Sequence, residues 1–293
     1  MPEDYVIACR SYARAAVFPH KTYHMLKENK LLDKLYVFVA SEEEKEKYVA
    51  SLPDFPSDRI IVGILGGAKI IEFICNYFPE GQRIVFMDDD LDRFFIFDKD
   101  GKYIKDATIL KKYIEDGFKT IDRFDLGSFT FSFLSNAMFI KGKPFKEFRP
   151  FIVAGNFFGT RNSKLIPTRI AHADDALRSS RFFDKYGGTL LYWSAGFATK
   201  YGKEEGGLQG SGNRGDAQTR LDLTKRVSEE LYNTEELLRV YANPPSLIEN
   251  AGLYSMRLKH RPQIERALAE RGKRVRKAVW SGFGITPKES VGF

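Results

Sequence analysis

The sequence predicts an α/β fold, a doubly wound sheet flanked by helices, and two observations support that class. The first third of the chain alternates apolar runs with amphipathic or acid-rich segments, which is the pattern of successive β-α units. The fourth apolar run leads directly into the carboxylates of Asp88, Asp89 and Asp90. In open α/β sheets the carboxyl ends of strands carry the ligand sites, so these acids mark a candidate site.

The predicted elements alternate regularly up to this acidic cluster. Ser41 and the three glutamates after it are typical of a helix N-cap and an acidic first turn. The predicted strands are 5–8, 34–40, 59–64 and 83–90, and the predicted helices are 18–32, 41–52 and 66–78. Neither G-x-G-x-x-G nor a Gly-Lys-Ser/Thr ending follows these strands, which disfavours a dinucleotide-binding domain and a P-loop.

The remaining elements are less regular. Helices are predicted at 106–122 and at 173–187, where Gly187 ends the helix, and strands at 126–133 and from 189 onward. The composition becomes Gly-rich and polar at about Lys203, followed by a helix within 223–245 and a basic tail over 261–280. We therefore expect a catalytic domain at 1–202 and a C-terminal extension at 203–293, a Gly-rich loop with basic helices packed on the same domain.

Composition favours an anionic partner and an intracellular setting. The 46 Lys and Arg exceed the 39 Asp and Glu, which gives a net charge of +7. Cys9 and Cys75 lie in apolar runs, as expected of buried free thiols in a reducing cytoplasm. The N-terminal segment lacks the apolar core of a secretory signal, and no stretch approaches the roughly 20 apolar residues of a membrane span.

The acidic cluster is the strongest chemical signal. On extended backbone the side chains at i and i+2 project to the same side, so Asp88 and Asp90 can reach one ion while Asp89 faces elsewhere. Hard carboxylate oxygens favour Mg2+ or Mn2+, which usually share their coordination with substrate phosphates. We expect Asp89 to hold a ribose or a backbone group, and Asp92 to act as a cap or as a partner of Arg93 or Lys99. The structural alternative is a solvated strand end.

Four segments resemble the GT-A glycosyltransferases. "RIVFMDDDL" is similar to their D-x-D segment, "VIACRSYARA" to the first strand and loop, "LGGAKIIEFI" to the helix before D-x-D, and "AHADDALRSSRFFDKYG" to the later acidic motif. Within that fold, "SYARA", "FMDDDL" and "AGNFFGTRNSKLIP" followed by "DDALR" resemble the TET-associated glycosyltransferases, a phage-rich group. This likeness covers Tyr5 to Tyr201. It implies a Rossmann-related mixed sheet.

The resemblance also implies an activity and a set of site residues. The expected reaction moves a sugar from a nucleotide-sugar donor, by default a UDP-sugar, to 5-hydroxymethylcytosine or 5-hydroxymethyluracil in DNA, with Mn2+ or Mg2+ as cofactor. If the protein is phage-encoded, the location is the host cytoplasm. The donor residues are Arg10, Ser11, Arg14, Lys69, Asp88, Asp89 and Asp90. The metal ligands are Asp88, Asp90 and His172, with His260 as a rival third ligand.

Asp175 is the preferred catalytic base, and Asp174 is the alternative. Here the motif reads His-Ala-Asp-Asp in place of the usual Glu-Asp, so which of the two acids acts as base stays open. Either acid also suits a helix N-cap or first turn. A base at Asp175 favours inversion by direct displacement, while retention stays an alternative.

Other residues bear on the acceptor, and other functions stay open. The loop 155–163 could clamp an acceptor with Phe157, Phe158 and Arg161, or its rings could belong to the core. The basic tail could bind DNA phosphates, or form a solvated helix face. The same fold could act on a glycan, lipid or protein, bind DNA without catalysis, or be a nucleotidyltransferase that releases pyrophosphate.

Overall fold

The computed structural model describes most of the first 199 residues and five short parts of the C-terminal extension. The described residues are 4–98, 100–104, 109–132, 140–149, 155–168, 174–199, 238–242, 254–258, 277–284, 286 and 288–291. The strands are β1 Tyr5–Arg10, β2 Leu35–Val39, β3 Ile60–Val62, β4 Arg83–Asp88, β5 Leu91–Phe97, β6 Tyr103–Ile104, β7 Ser128–Ser132, β8 Lys146–Arg149, β9 Phe157–Arg161, β10 Thr189–Thr199, β11 Leu238–Ala242, β12 Tyr254–Leu258, β13 Lys277–Trp280 and β14 Glu289–Val291. The α-helices are α1 Thr22–Glu28, α2 Glu42–Ser51, α3 Gly67–Tyr77, α4 Ile109–Arg123 and α5 Asp174–Tyr186.

Most of these strands form one mixed sheet. Its order is β14-β13-β8-β10-β7-β9-β4-β1-β2-β3, and β5 pairs with both β10 and β6. Strands β4, β1, β2 and β3 are mutually parallel, as the β-α pattern predicts, whereas β9 runs antiparallel to β4. The predicted α/β class and the mixed sheet flanked by helices are thus confirmed.

Local sequence explains where several helices begin and end. The Ser41 hydroxyl accepts a hydrogen bond from the backbone N of Glu44 at 3.2 Å, which is the predicted N-cap of α2. Gly187 follows α5 with φ of 84°, a left-handed conformation in which glycine carries no steric penalty. The predicted helix at 18–32 is shorter than expected, because 3-10 turns at Phe18–His20 and Leu32–Lys34 flank α1.

Part of the C-terminal prediction is wrong. Residues 238–242, predicted within a helix, form β11, and 277–280 of the basic tail form β13. Strand β13 pairs with β8, so this part of the extension belongs to the main sheet. The division at residue 202 stays a prediction.

Helices cover both faces of the sheet. Along β4, Val85 and Met87 join the core that includes residues of α1, α2 and α4, whereas Ile84 and Phe86 join the core on the side of α3 and α5. This alternation follows from the period of two in a strand, and residues 84–87 of β4 are all apolar because both faces of the strand are buried there. A strand fixed on both faces holds the residue at its carboxyl end in a defined place.

Phe129 fills the space between a helix and the sheet. Its ring lies against Gly117 of α4 and Gly159 of β9, where an added Cβ would come within 2.7 Å and 2.1 Å of ring atoms. Only glycine at these two positions leaves room for the ring. The close approach fixes the distance between α4 and the strand that pairs with β4.

We expect Gly159→Ala to destabilise the protein by about 1–3 kcal/mol, because the added methyl group overpacks the core against Phe129. Gly282→Ala is the matched control, since no heavy atom within the described residues lies within 4 Å of a Cβ built there. Urea denaturation followed by circular dichroism measures both. Equal midpoints for the two variants would show that Phe129 adapts freely.

A buried ion pair joins the extension to the domain. Lys146 of β8 and Asp116 of α4 form a salt bridge, and both are buried. Lys146 Nζ also donates to Thr120 Oγ1 at 2.8 Å and to the Gly284 carbonyl at 3.0 Å. Asp116 accepts from the Gly284 backbone N at 2.8 Å and from the Tyr192 hydroxyl at 2.6 Å. The turn after β13 thus completes the network around a buried charge pair.

None of the helices in the described part of the chain is long and apolar enough to cross a membrane.

Candidate functional site

The candidate site begins at the carboxyl ends of two adjacent parallel strands. Arg10 ends β1, Asp88 ends β4, and the two are register partners. Arg10 donates to Asp88 Oδ1 from Nε at 3.1 Å and from Nη2 at 3.0 Å. The other oxygen, Asp88 Oδ2, makes no hydrogen bond to any described residue, and 30% of this side chain is exposed. One face of the carboxylate is therefore open to a ligand.

Asp89 points into the protein. Its Oδ1 lies 2.5 Å from Arg14 Nη1, and its Oδ2 accepts from the hydroxyl of Ser11, which also contacts the Tyr48 hydroxyl. Arg14 Nη1 lies 3.0 Å from Asp90 Oδ2 as well. The side chains of Asp88 and Asp89 point in different directions, as the period of two in a strand predicts. Within the described residues Asp89 holds the β1–α1 loop, rather than presenting its carboxylate to a ribose.

The segment after β1 holds the rest of the acidic turn. Lys21 pairs with Asp92, so the predicted partner Arg93 is wrong, and the other predicted partner, Lys99, lies outside the described residues. The Thr22 hydroxyl donates to the Asp88 carbonyl at 2.8 Å and accepts from the Leu91 backbone N at 3.0 Å. These two bonds close the turn.

Each carboxylate of the acidic turn is therefore paired with a basic side chain from the segment 10–21. The four acids at 88, 89, 90 and 92 are paired with side chains at 10, 14 and 21. Neutralisation by these side chains lowers the repulsion that four neighbouring carboxylates would otherwise generate. The acidic turn and the β1–α1 loop thus form one unit.

Helix α2 fixes the β1–α1 loop from the other side. Ala13 adopts φ of 55°, which is unfavourable for a residue with a Cβ. Its backbone N donates to Glu44 Oε2 at 2.8 Å, and Glu44 is buried in the first turn of α2. This bond holds the loop in the conformation that places Arg14 beside the acids.

Burial shifts the ionisation of the acids. Burial raises the pKa of Asp89 to about 6, although the Arg14 charge and the Ser11 hydrogen bond oppose the shift. Burial also raises the pKa of Asp88, and Arg10 opposes that shift. Burial lowers the pKa of Arg10, but Asp88 and then Asp174 outweigh it, so the net shift is upward. Arg10 thus stays charged between two carboxylates.

The acids of α5 lie at the same edge of the sheet. Arg10 Nη2 donates to the Gly155 carbonyl at 3.3 Å, and the Asn156 carbonyl accepts from the Asp88 backbone N at 3.0 Å. A Cβ built on Gly155 would lie 3.9 Å from Asp175 Cβ. Asp175 is therefore a near neighbour of the loop that touches Arg10.

Asp174 and Asp175 differ in their surroundings. Asp174 Oδ2 lies 2.5 Å from Nη2 of Arg178, which is fully buried. Arg178 also donates to the Ile166 carbonyl at 3.3 Å, and its guanidinium lies 4.6 Å from the Phe158 ring centroid. Asp174 is thus a first-turn acid of α5 that is paired with Arg178, and capping of the helix by its side chain stays a prediction. Its role and that of Asp175 in catalysis stay predictions.

Some candidates do not join this site. Lys69 is exposed in the first turn of α3, and within the described residues its side chain forms no hydrogen bond or ion pair with the acids. His172 and His260 lie outside the described residues. Phe157 and Phe158 are each only 1% exposed, so the proposed clamp on an acceptor is wrong for these rings, which belong to the core.

The donor set fits a divalent cation held in part by substrate. Asp88 Oδ2 and the Asp90 carboxylate supply hard oxygen atoms at one edge of the sheet. The described residues contain no group of three or more His, Cys, Asp or Glu able to hold a metal. Mg2+ is usually held by one or two carboxylates together with substrate phosphates and water, so two carboxylates suffice.

Several site residues have no strong sequence signal. Lys21, Thr22 and Tyr48 fall within or beside predicted helices. Lys21 and Thr22 contact the acidic turn and Tyr48 contacts Ser11, in each case across a long separation in sequence. Arg178 follows Asp174 by four residues, so the i,i+4 spacing on a helix could have indicated that pair.

No family model matches the chain, and no curated protein matches it. Among solved structures, S. aureus TarS 1–349 in complex with UDP-GlcNAc is similar over 78% of this chain and 67% of that chain, with a TM-score of 0.49 and 15% identity. A second structure of S. aureus TarS 1–349 is similar over 78% of this chain and 66% of that chain, with a TM-score of 0.46 and 12% identity. Because both TM-scores lie below 0.5, neither likeness carries an argument here.

Proposed function

We propose that this protein is a metal-dependent glycosyltransferase that moves a sugar from a nucleotide-sugar donor, by default a UDP-sugar, to a hydroxyl group. The observation that supports this most is the meeting of two groups of acids at one sheet edge. Asp88 and Asp90 lie at the end of β4, and Asp174 and Asp175 begin α5, with Arg10 and Gly155 between them.

The acids of β4 serve the donor. Mg2+ or Mn2+ held by Asp88 and Asp90 supplies positive charge to the leaving diphosphate. Arg10 lies beside Asp88 and adds a guanidinium that suits phosphate oxygens. The ion pair between Arg14 and Asp89 fixes the β1–α1 loop against the acidic turn. The side chains that contact the donor are therefore in place before the donor binds.

The acids of α5 serve the acceptor. A hydroxyl nucleophile needs a base within about 3 Å in the productive complex. Asp175 lies next to Gly155 at the edge that carries Asp88, which suits removal of a proton from an acceptor placed over the donor sugar. Transfer in one displacement would invert the anomeric centre.

For the acceptor we propose the hydroxymethyl group of 5-hydroxymethylcytosine or 5-hydroxymethyluracil in DNA. Support comes from the likeness of "SYARA", "FMDDDL" and "DDALR" to the TET-associated glycosyltransferases and from the net charge of +7. A base in a duplex must leave the stack to reach an enzyme edge of this kind. The basic residues at 271–276, predicted to contact DNA, lie outside the described residues.

Incubation of the protein with hydroxymethylated DNA, Mn2+ and a panel of nucleotide sugars tests the proposal. We expect mass spectrometry of the digested nucleosides to show a hexose or pentose on the hydroxymethylpyrimidine, with release of a nucleoside diphosphate. Asp88→Asn is expected to lower the rate by about 10²- to 10³-fold, because it removes a charged ligand from the diphosphate site.

Glu46→Gln on α2 is the matched control, since this exposed acid lies on another helix. Transfer to a glycan, lipid or protein but not to DNA would reject the acceptor alone. Absence of donor turnover with every acceptor, or full activity in Asp88→Asn, would reject the proposed enzyme.

A further inference from the structure

The Arg10 guanidinium brings positive charge to Asp88, as a bound metal ion would. Both of its hydrogen bonds to Asp88 go to one oxygen, Oδ1, at 3.1 Å and 3.0 Å, and its Nη2 also reaches the Gly155 carbonyl. Its side chain is 23% exposed, so it lies at the opening of the site. The chain thus already holds a cation against the carboxylate that the proposed function assigns to Mn2+ or Mg2+.

Arg14 differs from Arg10 in this respect. It is 7% exposed and is shared between Asp89 and Asp90, an arrangement that keeps its charge inside the protein. Arg10 instead is hydrogen-bonded to Asp88 and to the Gly155 carbonyl, at the exposed opening of the site. Of these two arginines, Arg10 is the one placed to exchange one anionic partner for another.

Two cations on one carboxylate repel each other. A guanidinium about 3–4 Å from the carboxylate opposes a divalent ion bound to the other oxygen, and the cost falls if the guanidinium moves to a new anion. A nucleoside diphosphate that brings its own phosphates to the metal supplies that anion. Binding of the metal and the diphosphate then becomes mutually favourable, as linkage requires.

We propose that Arg10 is a built-in counter-cation that weakens divalent-metal binding at Asp88 until a nucleoside diphosphate arrives and accepts its guanidinium. This rests on the proposed function and adds an order to it: the metal binds tightly only together with the donor. Arg10 is then a positioning residue for the metal and a binding residue for the diphosphate. Without the donor, the charge of Arg10 keeps the affinity of the cation site low.

Electron paramagnetic resonance of free Mn2+ during titration measures this directly, with and without UDP. For Arg10→Gln we expect Mn2+ alone to bind about tenfold more tightly than to the wild type, because one opposing charge is gone. We also expect UDP to tighten Mn2+ binding by a smaller factor in the variant than in the wild type. Arg10→Lys keeps the charge and should retain weak binding of Mn2+ alone.

Arg59→Gln is the matched control. Arg59 lies just before the amino end of β3, at the opposite edge of the sheet from the acids, and donates a hydrogen bond to the Asp33 carbonyl. The same loss of charge at this position should therefore leave the Mn2+ affinity unchanged. Adding Asp88→Asn to Arg10→Gln should abolish the tightened binding. Thermal unfolding by circular dichroism confirms that each variant is folded.

Three results would overturn the proposal. The first is that Arg10→Gln binds Mn2+ no more tightly than the wild type, and the second is that Arg59→Gln tightens Mn2+ binding as much as Arg10→Gln does. The third is that adding Asp88→Asn to Arg10→Gln leaves the tightened binding intact. None of these measurements requires sugar transfer. Wild-type transfer without the Arg10 effect therefore rejects only the role of Arg10. The Arg10 effect without transfer to any acceptor rejects the proposed reaction and leaves the cation exchange standing.

Discussion

Replacing Asp175 with Asn is expected to lower kcat by about 10²- to 10⁴-fold, the usual contribution of a general base. The change keeps the shape of the side chain and removes its ability to take a proton. Asp175 lies beside Gly155 and is in the first turn of α5. Because Asn has nearly the same size and shape as Asp, α5 should persist in the variant. Steady-state kinetics with the accepted donor would show a loss in kcat with little change in the KM for the donor.

Asp174→Asn is the matched comparison one residue away. Asp174 is bound to the fully buried Arg178, so losing its charge should weaken that anchor and lower the midpoint of thermal unfolding. We expect its kcat to fall less than that of Asp175→Asn. If the larger loss of kcat belongs to Asp174→Asn in a folded protein, then Asp174 is the base and the assignment is reversed.

Lys146→Met is expected to destabilise the protein by about 3–5 kcal/mol, because it leaves the buried Asp116 carboxylate without its cation. Lys146 is 0% exposed, and its ammonium has three partners in the described structure. Urea denaturation followed by tryptophan fluorescence measures the change. Asp116→Asn should destabilise as well, since it strands the ammonium group.

The double variant Lys146→Met, Asp116→Leu should recover part of the loss, because neither charge is then left alone. Lys47→Gln, in an exposed i,i+4 pair with Glu43, is the control and should leave the urea midpoint unchanged. A double variant less stable than the sum of both single losses would show that the pair itself does not govern stability here.

Sequence reasoning located the edge of the site because that edge follows from local patterns. The apolar run before Asp88 and the acids after it define a strand that ends at the site, and the β-α alternation predicts parallel strands whose carboxyl ends lie at the same edge. The adjacency of β1 and β4 was not predicted and comes from the structure. Ser41 predicted the start of α2 in the same way, through a bond to a residue three positions along.

Contacts between distant parts of the chain were harder to predict. Asp92 pairs with Lys21, 71 residues away, and nothing local favours that partner over its sequence neighbour Arg93. The helical prediction for 238–242 failed for a similar reason: whether a short apolar segment becomes a strand depends on a partner strand elsewhere, here β12. Phe157 and Phe158 looked like a surface clamp because an aromatic pair between glycines does not reveal which side is buried.

The pairing of β13 with β8 has a consequence for biosynthesis. A growing chain emerges from its N-terminus, so β8 and Lys146 are made before the residues 277–284 that cover them. At 5–20 residues per second this interval lasts roughly ten seconds. During it, β8 lacks its partner β13, and Lys146 and Asp116 lack the Gly284 backbone groups that complete their hydrogen bonds. Pairing of β13 with β8 is thus a late step relative to the synthesis of β8, and until it occurs the unpaired strand is a place where misassociation can begin.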